Sequence, residues 1–225
     1  MKGSDPILQM QSPDNAEQAL REAYNRVLES GLTYYWERIL TAGVNANEAQ
    51  QLYDQAFFAF EHNHRLLAER WGRAASHFAL ALWHEAKIQF LSSSACPPIP
   101  SIRPSMHNLT PNEDLHLHAH ETHEEIEAEL RSNWIQAKNR VSKSSKGELD
   151  PFFQRVSRYL SRGEFHLGAP PWSSLPQPQH AELLQAERLK AAHEYSSAAE
   201  YLLLAWDWVL SSGNENMKDL KSSAA

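Results

Sequence analysis

Apolar residues recur every three or four positions along most of this chain, which is the period of helices with one buried face. The clearest run covers residues 65–90. Its apolar positions are Leu67, Trp71, Ala74, Phe78, Leu82 and Ile88. This run also contains Ala75, Ala79 and Ala81, whose small side chains allow neighbouring helices to approach closely. Since no stretch alternates convincingly with a period of two, the pattern predicts an all-α bundle with 65–90 as its core helix.

The first half of the chain contains two helical patterns. Ser12 and Pro13 are typical of a helix start and Gly43 of a helix end, so the first helix should cover about 13–43. A second pattern opens at Asn47 and continues to residue 92. As one helix it would measure about 68 Å, which is too long for a compact domain of this size. We therefore expect a break at 62–64 or at 71–72.

Two proline-rich stretches, 92–109 and 163–178, predict connecting loops in the second half of the chain. Between them, a capping box from Thr110 to Glu113 predicts a helix that runs to about Lys143. A short helix over 151–161 should follow and should stop at Gly163.

A last helix is predicted over about 180–211. The bundle would then contain five to six helices. Because each proline-rich loop is short, we expect one domain over 1–225. Its ends, 1–12 and 212–225, should be mobile.

Composition narrows the function only slightly. The chain has 225 residues with a formal charge of −7, which argues against broad non-specific adhesion to nucleic acid. Cys96 is the only cysteine, so neither an intrachain disulfide nor a thiolate metal cage is available. We find no run of signal-peptide or membrane-span length, and therefore predict a cytoplasmic protein that does not enter a membrane.

One candidate motif lies in the last helix. Arg188 is followed after four residues by His193 and then by Tyr195. This arrangement resembles the Arg-x4-His-x-Tyr motif of the HEPN superfamily, in particular its toxin members.

A second candidate lies on the core helix. Arg70, His77 and His84 are seven residues apart and should share one face with Arg73 nearby, which gives a cationic stripe. The spacing of Arg70 and His77 fits the looser Arg-x4-6-His pattern of the same superfamily. The surrounding sequence, with Glu85 and Lys87, resembles its abortive-infection V-like branch.

The resemblance implies RNA binding or metal-independent RNA cleavage, in a defence or toxin–antitoxin setting. Arg188 or Arg70 would hold phosphate, His193 or His77 would move the proton, and Tyr195 would orient a group or donate a hydrogen bond. It also implies a homodimer, with RNA or a protein antitoxin as partner. No cofactor or resident metal is needed for this chemistry.

Two alternatives come from other classes. The cationic stripe could dock an acidic partner, which would make the protein a non-catalytic interaction module. Alternatively, His116, His120 and His123 fall at helical spacing near Glu113 and Glu124. Together with the pair Glu61 and His64, this cluster is similar to the ligands of carboxylate-bridged diiron bundles and would imply a metal-dependent oxidase.

Overall fold

Six α-helices and one 3-10 turn make up the computed structural model, which describes residues 13–37, 46–92, 122–168 and 178–211. The helices are α1 Pro13–Glu37, α2 Ala46–Glu61, α3 Arg65–Ser92, α4 His123–Val141, α5 Pro151–Gly168 and α6 Pro178–Ser211, with the 3-10 turn at Gly147–Leu149. No strand occurs among these residues. The predicted all-α bundle is therefore confirmed. Within the same ranges, no helix combines the length and apolar character needed to cross a membrane.

The long helix α3 lies at the centre, as its sequence predicts. It packs against α1, α2 and α6, while α4 and α5 pack on α6. All six apolar positions named for this helix are buried, and so are all six of its alanines. One hydrophobic core contains residues from all six helices, including the fully buried rings of Phe78, Tyr159, Tyr195 and Trp206.

Of the two predicted break points, 62–64 is correct and 71–72 is wrong. Asn63 takes a left-handed conformation with φ of 62°, which asparagine tolerates better than most residues. The His64 amide donates to the Ala59 carbonyl and the Asn63 amide donates to the Phe60 carbonyl, the pattern of a Schellman helix end. Gly72 instead lies inside α3, where the Ala19 backbone would lie 3.2 Å from an added Cβ atom.

The fourth helix is not continuous from residue 110 as predicted, because α4 begins anew after Thr122. Thr122 is extended, with φ of −73° and ψ of 159°, and its side chain and that of Glu125 form a capping box. A helix that continues from residue 110 through this point is incompatible with that backbone. The capping box predicted at Thr110 lies outside the described residues, as do both predicted mobile ends and most of both proline-rich loops.

The fifth helix is longer than predicted because Gly163 does not end it. Gly163 is buried inside α5, where an added Cβ atom would lie 2.8 Å from the Leu130 side chain and 3.2 Å from the Ala192 carbonyl oxygen. This glycine allows α5 to approach α4 and α6 closely. The helix therefore continues to Gly168, and 163–168 is not a loop.

Replacing Gly163 with alanine should destabilise the protein. Alanine is the better helix former by about 1 kcal/mol, but overpacking a core costs about 1–3 kcal/mol, and the Ala192 backbone cannot easily move away. We expect a lower free energy of unfolding for Gly163→Ala in chemical denaturation. Gly168→Ala is the matched control because an added Cβ atom there meets nothing within 4 Å. Equal stability of the two variants would contradict the close approach.

Candidate functional site

The cationic stripe of α3 faces α6 of the same chain. His84 Nδ1 lies 2.6 Å from Glu187 Oε2, and His77 Nδ1 lies 2.7 Å from Glu194 Oε2. Arg70 Nη1 donates to the Leu204 carbonyl at 2.6 Å. The two helices run antiparallel, and the step of seven residues from His84 to His77 on α3 matches the step of seven from Glu187 to Glu194 on α6. We call these contacts the α3–α6 ladder.

Charge and burial act in opposite directions on the ladder carboxyls. Burial alone would raise the pKa of Glu187, but the hydrogen bond from His84 and the charges of His84, Lys87 and Lys190 outweigh burial and lower it to about 2. Burial likewise opposes ionisation of Glu194, and His77 together with His193 holds its pKa below the usual range. Both carboxylates are therefore negative near neutral pH, which strengthens their hydrogen bonds to the histidines.

The side chains of the Arg-x4-His-x-Tyr motif do not converge on one surface. Its residues lie on one continuous helix, α6, and five positions along a helix turn through about 140°. Arg188 is buried, and burial lowers its pKa. Tyr195 is fully buried in the core, whereas the His193 side chain is 22% exposed on another side of the helix. Arg188 and Tyr195 therefore do not share a surface with His193.

The structure instead places His193 on the side of α6 that faces α4, within electrostatic range of the carboxylate that His77 contacts. His193 Nδ1 lies 3.4 Å from Glu129 Oε2 of α4, and its Nε2 lies 3.5 Å from Ser197 Oγ. His77 contacts Glu194 directly, and the charges of His77 and His193 both lower the pKa of that carboxylate. We call His77, His193, Glu129, Glu194 and Glu200 the imidazole surface.

Neighbouring groups complete the imidazole surface. The His77 ring stacks on Tyr201 with centroids 5.4 Å apart. Desolvation and the charge of Glu129 raise the pKa of Glu200, although both imidazoles oppose this shift. Arg70 contacts α6 one turn further along, at Leu204. Burial also lowers the pKa of Arg70, against the charge of Asp207.

Two partly exposed imidazoles beside carboxylates can accept and release protons without a metal ion. The His77 side chain is 18% exposed, and its contact with Glu194 fixes the ring orientation. Since Nδ1 faces Glu194, Nε2 is the ring nitrogen directed away from that carboxylate. His193 is held less tightly, through a longer contact with a more exposed glutamate.

A second polar cluster was missed by the sequence reasoning. His166 Nε2 lies 3.0 Å from Glu85 Oε1, and Arg162 Nη1 donates to the Tyr195 hydroxyl at 3.0 Å. Burial and Glu85 raise the pKa of Tyr195 well above its ordinary value. The signal was the spacing of four between Arg162 and His166, which puts them on one helix face, but this segment was assigned to a loop. Because His166 and Tyr195 are buried, the cluster joins α3, α5 and α6 inside the protein.

Three of the predicted metal ligands, Glu113, His116 and His120, lie outside the described residues. Of His116, His120 and His123, only His123 is described, and it is exposed at the first position of α4. Within the described ranges, no group of three or more His, Cys, Asp or Glu side chains is arranged to hold a metal ion.

Comparison of the chain with protein-family models, with curated proteins and with solved structures finds no match.

Removing the Glu187 carboxylate should lower the free energy of unfolding and should make that free energy depend less on pH in the acid range. The folded-state pKa of about 2 lies below the ordinary value of 4.5, so the stabilisation is present above about pH 4.5 and is lost as the pH falls towards 2. We expect Glu187→Gln to lower the free energy of unfolding by about 1–3 kcal/mol near neutral pH. Its stability should then decline less than that of the wild type on acidification, as measured by denaturant unfolding at several pH values.

Glu182→Gln is the matched control because Glu182 is exposed on the same helix. This variant should follow the wild type at every pH. An equal effect of the two substitutions would show that the ladder contact does not stabilise the fold.

Proposed function

We propose that this chain is a HEPN-like protein that binds RNA and cleaves it without a metal ion, using the imidazole surface. The observation that supports this proposal is that His77 and His193 each lie beside a glutamate on another helix, and that the charges of both act on Glu194. These histidines come from the two separate motifs that the sequence offered. The biological setting we propose is defence or a toxin–antitoxin system.

The proposed reaction is an internal transesterification. One imidazole takes the proton from a ribose 2′-hydroxyl, whose oxygen attacks the adjacent phosphorus. The bond from phosphorus to the 5′-oxygen breaks, and the other imidazole, protonated, gives that oxygen a proton. The products are a 2′,3′-cyclic phosphate and a 5′-hydroxyl, and no oxidant or metal is consumed. Of the two predicted cations we assign Arg70 to the phosphate oxygens, since it contacts α6 one turn from Glu200, whereas Arg188 is buried.

Electrostatics sets the expected strength of RNA binding. Glu129, Glu194 and Glu200 lie in the imidazole surface, and the whole chain carries a formal charge of −7. Both features oppose non-specific attraction of a polyanion. We therefore expect weak RNA binding that falls steeply with added salt, and recognition of particular single-stranded segments rather than general adhesion.

A non-catalytic interaction module is the second candidate, but the cationic stripe is not a good docking surface for it. Its Arg70, His77 and His84 side chains already contact α6 of the same chain. The observation that favours an interaction role is instead the partly apolar groove between α4 and α5, lined by Trp134, Ile135 and Leu167.

Substituting either imidazole should reduce RNA cleavage. We expect His77→Gln and His193→Gln each to slow cleavage of a single-stranded RNA by about a hundredfold or more, the usual contribution of a general acid or base. Glutamine keeps a hydrogen-bond donor for the facing glutamate but cannot transfer a proton at neutral pH. Cleavage would be measured by gel electrophoresis with a chelator present, and the cyclic phosphate end would be identified by mass spectrometry.

His62→Gln is the matched control, because His62 is an exposed histidine in the turn between α2 and α3. It should cleave at the wild-type rate. Intact RNA after incubation with the wild-type protein would reject the ribonuclease proposal, and so would full activity in both histidine variants.

A further inference from the structure

The Glu200 carboxyl differs from those of the other two glutamates in the imidazole surface. Glu194 lies 2.7 Å from His77 and Glu129 lies 3.4 Å from His193, so an imidazole faces each of them. Glu200 is exposed, and among the described residues no hydrogen bond or ion pair holds its carboxyl. The imidazole surface therefore contains a carboxylate whose oxygens are open to a ligand.

Helix geometry places Glu200 beside the groups proposed to act on RNA. It follows His193 by seven residues on α6, so the two side chains lie on nearly the same side of the helix, about 10 Å apart along its axis. Besides burial and the charge of Glu129, both imidazole charges act on the pKa of Glu200. A nucleobase is joined to its phosphate through the ribose, so a group that reads the base lies some way from the groups that act on the phosphorus. Glu200 has that position.

Electrostatics decides which part of an RNA strand can face this carboxylate. Phosphate oxygens are repelled by it, and they have a cationic partner in Arg70, which contacts α6 one turn further along at Leu204. The edges of the bases are uncharged and carry N–H groups that donate hydrogen bonds to a charged acceptor. Glu200 therefore fits a base edge rather than the backbone.

Guanine matches the two oxygens of a carboxylate better than the other three bases do. Its N1–H and N2–H groups lie side by side on the Watson–Crick edge, so each oxygen accepts one hydrogen bond. Adenine and cytosine present one amino group beside an acceptor nitrogen, and uracil presents one N–H between two acceptor oxygens. These neighbouring acceptors repel the second carboxylate oxygen. A bidentate contact of this kind discriminates between bases by about tenfold or more.

We propose that Glu200 reads a guanine base next to the cleaved bond, so that the protein binds and cuts single-stranded RNA at guanines. This inference rests on the proposed function, because it places RNA at the imidazole surface. It adds a base preference to that function. Glu200 is then a residue that determines specificity, while His77 and His193 transfer the protons.

Short strands that cannot be cleaved test the base preference apart from the reaction. Pentanucleotides of 2′-fluoro uridine with G, A, C or U at the centre lack the 2′-hydroxyl nucleophile and stay intact. We expect the wild-type protein to bind the guanine strand about tenfold or more tightly than the other three, as measured by fluorescence anisotropy at low salt. A strand with inosine at the centre, which lacks only the N2 amino group of guanine, should lose most of that advantage.

Glu200→Gln should bind the guanine and inosine strands equally, because an amide offers one acceptor oxygen in place of two. Glu182→Gln is the matched control, since it makes the same charge change at an exposed position of the same helix and should keep the wild-type preference. Equal binding of the guanine and inosine strands by the wild type would overturn the proposal. So would an unchanged preference in Glu200→Gln, or a wild-type protein that binds none of the strands.

Cleavage of a mixed-sequence RNA distinguishes this inference from the ribonuclease proposal. Cuts that cluster at guanines with the wild type and spread over all four bases with Glu200→Gln would support both. Cuts without a base preference would overturn the guanine assignment and leave the ribonuclease proposal standing. Guanine-selective binding of the pentanucleotides without any cleavage would reject the ribonuclease activity and support the role of Glu200.

Discussion

A buried carboxylate is stable only when a charged or hydrogen-bonded partner replaces the water it has lost, and in this protein two histidines of α3 do so for two glutamates of α6. Glu187 and Glu194 lie inside the bundle, and each is contacted by an imidazole at 2.6 or 2.7 Å. These contacts fix the antiparallel direction and the register of the two helices, since a shift of either helix would separate both carboxylates from their histidines. The remaining helices are packed on this central pair.

Small side chains make the ladder contacts geometrically accessible. Buried alanines recur at intervals of seven beside the ladder residues, at Ala74 and Ala81 on α3 and at Ala191, Ala198 and Ala205 on α6. On each helix they lie within about 60° of the ladder positions, so the two backbones can approach closely on that side. An imidazole is short, and a larger residue in the alanine rows would move Glu194 out of reach of His77. Packing and electrostatics therefore impose the same spacing on the sequence.

Periodicity predicted the helices and the buried face of α3 because both depend on local sequence. It could not predict what the cationic stripe faces, because Glu187 lies 103 positions from His84 in the chain and spacing alone does not pair two helices. Gly163 illustrates the same limit, since glycine is favoured both at a helix end and where two helices approach closely. Only the neighbouring Leu130 and Ala192 distinguish these two cases. The sequence motif also could not show that its side chains diverge. They point in different directions because α6 continues without a break through Arg188, His193 and Tyr195.

The two histidines of the imidazole surface are held in different ways, and the difference follows from the helices that carry their partners. His77 belongs to the ladder, so its ring is fixed with the core. The partner of His193 is Glu129 on α4, and α4 is attached to α6 through Asn133 with Ser196 and through Arg140 with Asp207. Because Asn133 and Arg140 are seven residues apart, they fix the register of α4 as the ladder fixes that of α3. The distance between Glu129 and His193 therefore depends on the position of α4 against α6. The core constrains the position of α4 less strongly than it constrains that of α3.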